Sequence, residues 1–328
     1  MTLDSVELKR RLLLRLKGIE SGDALIGPAT VHLRLTDLCN LACPYCWYYG
    51  KGSTFRPTGK NHMPFEAFKR LVDDCADLQV DTINLSGIGD PTLHPRFYEM
   101  LPYLEKSFAV TIFTNGTFPI ERCRDILRAD RIIINLGAAS RESYQALQGR
   151  DLFIRVIKNI RELAKLRPQL NPNFFIEVVF IVTNLNEPEL LKTEQLVRKL
   201  GADFVNKKIF EPSAHNHDIQ VSHQEENVAV AGEWPPCYHG WFYSAVKLSG
   251  EVNVCCYTQS LTIGNVYETS FKEIWQSHAY SQARASALGG GEPFRSDHDC
   301  LNCRATRRNQ EIAAYLQQYH QVRKAVTR

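Results

Sequence analysis

Cys39-Asn40-Leu41-Ala42-Cys43-Pro44-Tyr45-Cys46 offers three thiols on one short loop, directly after a strand-like run at 31–35. Three thiolates from one loop suit a cubane [4Fe–4S] cluster, in which each cysteine ligates one iron. The fourth iron then stays open to a substrate or cofactor. A structural zinc site is the first alternative, but zinc takes four closed ligands, usually from Cys-x2-Cys pairs. No fourth Cys or His lies close by, since His32 belongs to the strand and His62 follows a Gly-rich loop. A redox Cys43-x2-Cys46 pair is the second alternative, although such a motif opens a helix and has no use for Cys39.

Outward from this loop, strand-like and helix-like periodicities alternate. Strand patterns cover 31–35, 82–85, 110–114, 131–136, 174–183 and 204–210; helical patterns cover 65–79, 96–106, 121–129, 151–166 and 187–200. Six strands separated by helices predict a parallel sheet. Polar and Gly-rich residues follow the strands, as in Ser86-Gly87-Ile88-Gly89-Asp90-Pro91, Thr114-Asn115-Gly116 and Thr183-Asn184. Ligand sites form at the carboxyl ends of strands in both barrels and doubly wound sheets, so the pattern alone leaves both folds open.

The 328 residues are 44% hydrophobic and 23% charged, with net charge +3, enough for a large α/β domain and a smaller module. That charge gives no global signal for nucleic-acid binding. The first apolar run, Leu12-Leu13-Leu14, is too short for a signal peptide or a membrane span, and a cytoplasmic location is expected. Ten cysteines without an export signal point to metal or redox chemistry rather than disulfides. Cys75 and Cys123 read as small buried hydrophobes on helices. The other eight lie within 39–46 and 237–303.

The eight-residue motif resembles the CxxxCxφC signature of the radical S-adenosylmethionine (SAM) superfamily, with Tyr45 as the aromatic residue. Gly87-Ile88-Gly89-Asp90-Pro91 resembles that family's Gly-Gly-Glu-Pro segment, with Ile88 between the glycines and Asp in place of Glu. The resemblance implies that this segment receives the SAM amino group through backbone carbonyls and the acidic side chain. Thr114-Asn115-Gly116 resembles the family's strand-3 end, and Asn135 stands where the family has a polar strand-4 residue. Residues 147–149 and 157–160 resemble the connection from strand 4 to strand 5. Together these imply an α/β fold, a partial (βα)6 TIM-like barrel, with Cys39, Cys43 and Cys46 on a SAM-binding [4Fe–4S] cluster. Tyr45, Gly87, Gly89, Asp90, Pro91, Thr114, Asn115 and Asn135 are the implied cofactor-binding residues. The implied chemistry is cleavage of SAM to a 5′-deoxyadenosyl radical that removes a substrate hydrogen atom.

Cys237, Gly250 and Cys255 resemble the opening of the family's SPASM and twitch domains, and the glycine is expected to turn a hairpin. Residues 263–266 and 271–275 resemble the connecting segment, and Cys300-x2-Cys303 closes the set. The shorter twitch type, with one fully ligated auxiliary [4Fe–4S] cluster, is the expectation; a zinc ribbon is the alternative. The intervals of 18, 45 and 3 resemble those of the aminocyclitol dehydrogenase family of butirosin biosynthesis. By that resemblance the auxiliary cluster accepts an electron as a hydroxyl-bearing carbon becomes a ketone. Glu211, His215 and His217 follow the sixth strand and are candidate bases.

The expected organisation is an N-terminal helical extension at 1–27, the barrel at 28–211, a linker at 212–236, the cluster domain at 237–304 and a C-terminal helix at 305–328. The expected function is oxidation of a small sugar- or cyclitol-like molecule, fed by an external one-electron donor such as flavodoxin or ferredoxin. A peptide or protein maturase is the runner-up; about 30 residues before the barrel are too few for a peptide-recognition domain. A redox-neutral sugar epimerase or dehydratase is a third reading. Neither nucleic acid nor membrane is an expected partner.

Overall fold

The computed structural model describes residues 5–50, 53–55, 57–105, 107–209, 236–256, 261–289, 291, 300 and 306–326. They form two compact units: Met1–Leu33, Pro64–Ile83 and Glu226–Arg328, and Arg34–Met63 with Asn84–Glu225. The division cuts β1 (Thr30–Arg34) and β2 (Thr82–Ser86), so both strands contribute to each unit.

The second unit alternates strands and helices. It contains β3 (Ala109–Thr114), β4 (Arg131–Asn135), β5 (Phe175–Val182) and β6 (Phe204–Ile209). Between them run α3 (Phe97–Leu104), α4 (Cys123–Ile126), α5 (Arg141–Gln148), α6 (Phe153–Leu170) and α7 (Leu190–Lys199). Its strand order, β6-β5-β4-β3-β2-β1, follows the sequence without reversal, and β3–β4, β4–β5 and β5–β6 pair in parallel. A doubly wound sheet reverses its order at a switch point. This sheet does not, so the chain has the partial TIM-like architecture, and the doubly wound alternative falls.

Burial explains the elements. In β3 and β4 every second residue is buried, as a half-covered pleat requires. On α6 the buried Phe153, Val156, Ile157, Ile160 and Leu163 recur at helical spacing, and Asn159 is the polar exception. Helix α5 has no counterpart in the sequence expectation. Ser140 and Ser143 form a reciprocal capping box at its start, and Gly149 ends it in the left-handed conformation. Its buried Tyr144 and Leu147 keep helical spacing, but eight residues span too short a window to announce a helix.

The first unit holds α1 (Ser5–Ser21), α2 (Phe65–Asp77) and a sheet of order β2-β1-β7-β8-β9. Strand β7 (Tyr243–Val246) runs parallel to β1, and β8 (Glu251–Asn253) and β9 (Gly264–Asn265) follow antiparallel. Gly250, at φ +86°, makes the β7–β8 turn, as expected of the glycine in that segment. Helices α8 (His239–Phe242), α9 (Phe271–Gln276), α10 (His278–Gly289) and α11 (Thr306–Val326) complete the unit. Leu16, Ile19, Trp241, Phe242 and Ile312 pack into one apolar cluster that ties α1, α8 and α11 together. Cys75 and Cys123 are fully buried, as their helical setting predicts. Among the described residues no helix is long and apolar enough to cross a membrane.

Candidate active site

The cysteine loop at 36–50 is tied to three strand ends of the second unit. At the end of β2, the backbone N–H groups of Ile88 and Gly89 donate to the Thr36 carbonyl at 3.0 and 3.1 Å. Asp90 N–H donates to Leu38 O at 2.8 Å. The approach is so close that a Cβ on Gly89 would stand 1.9 Å from Leu38 O, and one on Gly87 2.8 Å from Thr36 O. Both glycines are therefore required by space, despite the intervening Ile88.

At the end of β3, Asn115 Nδ2 donates to Asn40 Oδ1 at 3.0 Å, and Asn40 Nδ2 donates to Thr117 Oγ1 at 2.8 Å. Asn159 supports this turn from α6, its amide donating to Gly116 O at 2.8 Å and Phe118 O at 2.7 Å. At the end of β4, Asn135 Nδ2 donates to the Tyr45 hydroxyl at 3.1 Å. Gln148, buried at the end of α5, accepts Ala42 N–H on its backbone carbonyl at 3.1 Å and the Cys43 thiol on Oε1 at 2.7 Å.

Asp90 is buried, and both its carboxylate oxygens are engaged. Oδ1 accepts from Thr92 N–H at 3.0 Å and Thr92 Oγ1 at 2.5 Å. Oδ2 accepts from Thr114 Oγ1 at 2.8 Å and Asn115 N–H at 2.6 Å. Burial pushes this carboxyl above its ordinary value against the four hydrogen bonds, which pull it down. The side chain thus joins the loop after β2 to the end of β3. Pro91 begins a short 3-10 turn for which Asp90 is the cap.

Cys39, Cys43 and Cys46 are partly exposed, unbridged thiols on the secured loop. Burial, then the neighbouring Asp90 and Cys46, pushes the Cys39 thiol up to about 11. Burial, then Cys46 and Cys39, raises Cys43 as well. The resistance of Cys39 and Cys43 to ionisation is what a cationic iron centre would relieve. Among the described residues no three His, Cys, Asp or Glu side chains converge as ligands of a single metal ion. A cubane spreads its cysteines one per iron, so this donor set suits the cluster better than a lone ion. Asn135 Oδ1 is a buried acceptor without a hydrogen-bond partner in this same region.

In the first unit, Cys237, Cys255, Cys256 and Cys300 are all partly exposed. Cys237 precedes α8, and Cys255 and Cys256 follow β8. Asn309 Nδ2 lies 3.8 Å from Cys237 Sγ. Glu211, His215, His217 and Cys303 lie outside the described residues.

Sequence reading missed Asn40, Thr117, Gln148 and Asn159 as parts of the site. Asn40 sits inside the motif and Gln148 inside a segment already matched to the family. A buried polar residue on an otherwise apolar helical face was the available signal for Asn159.

Residues 33–194 match the family model described as the radical SAM superfamily, and residues 237–304 match SPASM, described as an iron–sulfur cluster-binding domain. The chain is 26% identical over 291 residues to the antilisterial bacteriocin subtilosin biosynthesis protein AlbA of Bacillus subtilis. That alignment covers 79% of this chain and 62% of the relative, less than two thirds of its length. Identity is also 26%, over 308 residues, to the tungsten-containing aldehyde ferredoxin oxidoreductase cofactor-modifying protein of Pyrococcus furiosus, covering 77% of this chain and 82% of that one. Streptococcus suis SuiB bound to S-adenosylmethionine is similar in structure, with TM-score 0.64 and 13% identity over 90% of this chain and 76% of that chain. BtrN in complex with AdoMet and 2-DOIA gives TM-score 0.52 and 16% identity over 86% of this chain and 94% of that chain. At these identities the structural likenesses establish the fold alone. The secured three-cysteine loop, the sequential strand order and the two matched segments agree: the chain belongs to the radical SAM superfamily, as an enzyme of SAM and iron–sulfur clusters with a C-terminal SPASM domain.

Proposed function

We propose that the protein oxidises a small hydroxylated molecule, of the sugar or cyclitol kind, with its auxiliary cluster as electron acceptor. The observation that carries this reading is the set Cys237, Cys255, Cys300 and Cys303. Four thiolates close every iron of a cubane, which leaves electron transfer rather than substrate binding as its task. The intervals of 18, 45 and 3 match those of the aminocyclitol dehydrogenase family. The fold likeness to BtrN, which covers 94% of that chain, supports the same reading.

Cys39, Cys43 and Cys46 hold the open cluster. When bound, that cluster and SAM supply one-electron cleavage of SAM and a carbon radical that takes one hydrogen atom. The protein's own residues bind and orient. Gly87 and Gly89 offer carbonyls to the SAM amino group, and the Gly89 N–H is already spent on the Thr36 carbonyl. Asp90 positions this segment, Pro91 ends it, and Thr114 and Asn115 hold the adjoining strand end. Asn135 donates to Tyr45 at the end of β4, and its unpartnered Oδ1 is left to accept from the cofactor. Cys237, Cys255, Cys300 and Cys303 would hold the auxiliary cluster, which would take one electron as the substrate loses a carbon-bound hydrogen atom and gives its hydroxyl proton to a base, leaving a ketone. Glu211, His215 and His217 are the candidate bases. An external flavodoxin or ferredoxin in the cytoplasm supplies the starting electron.

Anaerobic incubation with SAM, a one-electron reductant and a panel of polyols and aminocyclitols tests this. One SAM consumed per ketone formed, and loss of ketone but not of SAM cleavage in Cys300→Ala, is expected. Ketone formation unchanged in Cys300→Ala would overturn the acceptor role. AlbA, named for bacteriocin biosynthesis, favours a second reading, peptide or protein maturation by crosslinking, epimerisation or side-chain oxidation. A mass change in an added precursor peptide, with the polyols untouched, would select it.

A further inference from the structure

Asn309 lies on α11, beyond the matched segment 237–304, yet its amide holds two groups of the Cys237 turn. Oδ1 accepts the Tyr238 backbone N–H at 2.9 Å, and Nδ2 stands 3.8 Å from Cys237 Sγ. The Tyr238 N–H can only donate, so it fixes which end of the amide faces it. The NH2 end is therefore the end presented to the sulfur. The apolar cluster of Leu16, Trp241 and Ile312 seats α11 beside α8, which keeps the amide in place.

We propose that Asn309 is a positioning residue of the auxiliary cluster, donating an N–H···S hydrogen bond to the Cys237 thiolate and holding its reduction potential up. The inference rests on the reading of Cys237 as a cluster ligand. Reduction adds negative charge that is shared onto the ligand sulfurs, and a donor at one sulfur stabilises the reduced state. A raised potential makes the cluster a better acceptor for an electron leaving a substrate radical. Outer hydrogen bonds of this kind tune metal centres without touching the metal.

The test uses the full chain carrying both clusters, with Asn309→Ala and Asn309→Asp. Aspartate keeps an oxygen for Tyr238 N–H, loses the donor to sulfur and adds a negative charge, whereas alanine loses both bonds without adding charge. Midpoint potentials are read by electron paramagnetic resonance on samples poised at set potentials. Added SAM perturbs the open cluster and so separates the two signals. Both variants should shift the auxiliary signal to more negative potential, with iron content and the SAM-responsive signal unchanged. An unshifted potential in Asn309→Ala at full iron content overturns the proposal. Should that variant fail to load, the same reading on Asn309→Asp decides it, an unshifted potential again overturning the role. An unsubstituted protein holding about four irons per chain, not about eight, would sink the ligand reading and the proposal together.

Discussion

The hydroxyl of Thr114 donates to the carboxylate of Asp90 at 2.8 Å, joining the end of β3 to the loop that follows β2. Asp90 also receives the Asn115 N–H, so the two segments proposed to hold SAM share one buried anchor. Asp90→Ala leaves the buried Thr92 N–H and the partly buried Asn115 N–H without their acceptor. A buried group so stranded costs about 1–3 kcal/mol, so the variant should lose about 2–5 kcal/mol of stability. Asp90→Asn keeps the shape but turns a donor toward donors, and should fall between. Urea unfolding midpoints and SAM affinity should both rank wild type, then Asn, then Ala.

Gly89→Ala should abolish the cysteine loop's seating, because its Cβ would meet the Leu38 carbonyl, a backbone group with no rotamer to yield. Iron content after anaerobic reconstitution should fall, along with SAM binding. Gly289→Ala is the matched control. Nothing lies within 4 Å of a Cβ there, on an exposed helix end, so it should be neutral or stabilising by about 0.5–1 kcal/mol.

Asn159→Leu is close to isosteric, yet it strips hydrogen bonds from the Gly116 and Phe118 carbonyls inside the fold. A loss of about 2–4 kcal/mol is expected from two stranded acceptors. The turn carrying Asn115 then loosens, so KM for SAM should rise more than kcat falls. Parallel denaturation and steady-state kinetics check both parts.

His94 gives the fold a pH dependence. Its Nε2 donates to Met63 O at 2.9 Å, and its Nδ1 accepts Arg96 N–H at 3.1 Å, which requires the neutral ring. Burial first, then His62 and Arg96, lowers its pKa from the ordinary 6.5, against the Met63 carbonyl and Glu99, which raise it. A folded value below the unfolded one means the folded state binds fewer protons. The stabilisation is complete above about pH 6.5 and is lost as pH falls through the folded value. Urea midpoints at about pH 5.5 and about pH 7.5 should therefore differ, and His94→Gln should narrow the gap.

The sheet was legible because buried apolar residues alternate in the strands, and because Gly-rich turns mark where each strand ends. The cysteines were legible because their spacing is local. The direction of the Asp90 carboxylate was not, since a Gly-x-Gly-Asp-Pro string looks the same whether the acid faces a ligand or a neighbouring strand. Its partners Thr114 and Asn115 lie 24 and 25 residues away and are brought near only by sheet pairing. Gln148 escaped for the same reason, being 105 residues from the thiol it contacts. Helix α5 escaped because its eight residues are too short for a period to stand out.

The cysteine loop is hung from β2 through Thr36 and Leu38, from β3 through Asn40, from β4 through Tyr45, and from α5 through Ala42 and Cys43. Ordering one residue costs about 1–2 kcal/mol, and the hydrogen bonds to these strand ends and to α5 offset part of that cost for the loop. Most of these ties are made by backbone and amide groups, so the loop takes its shape from the barrel and leaves its thiols to the chemistry.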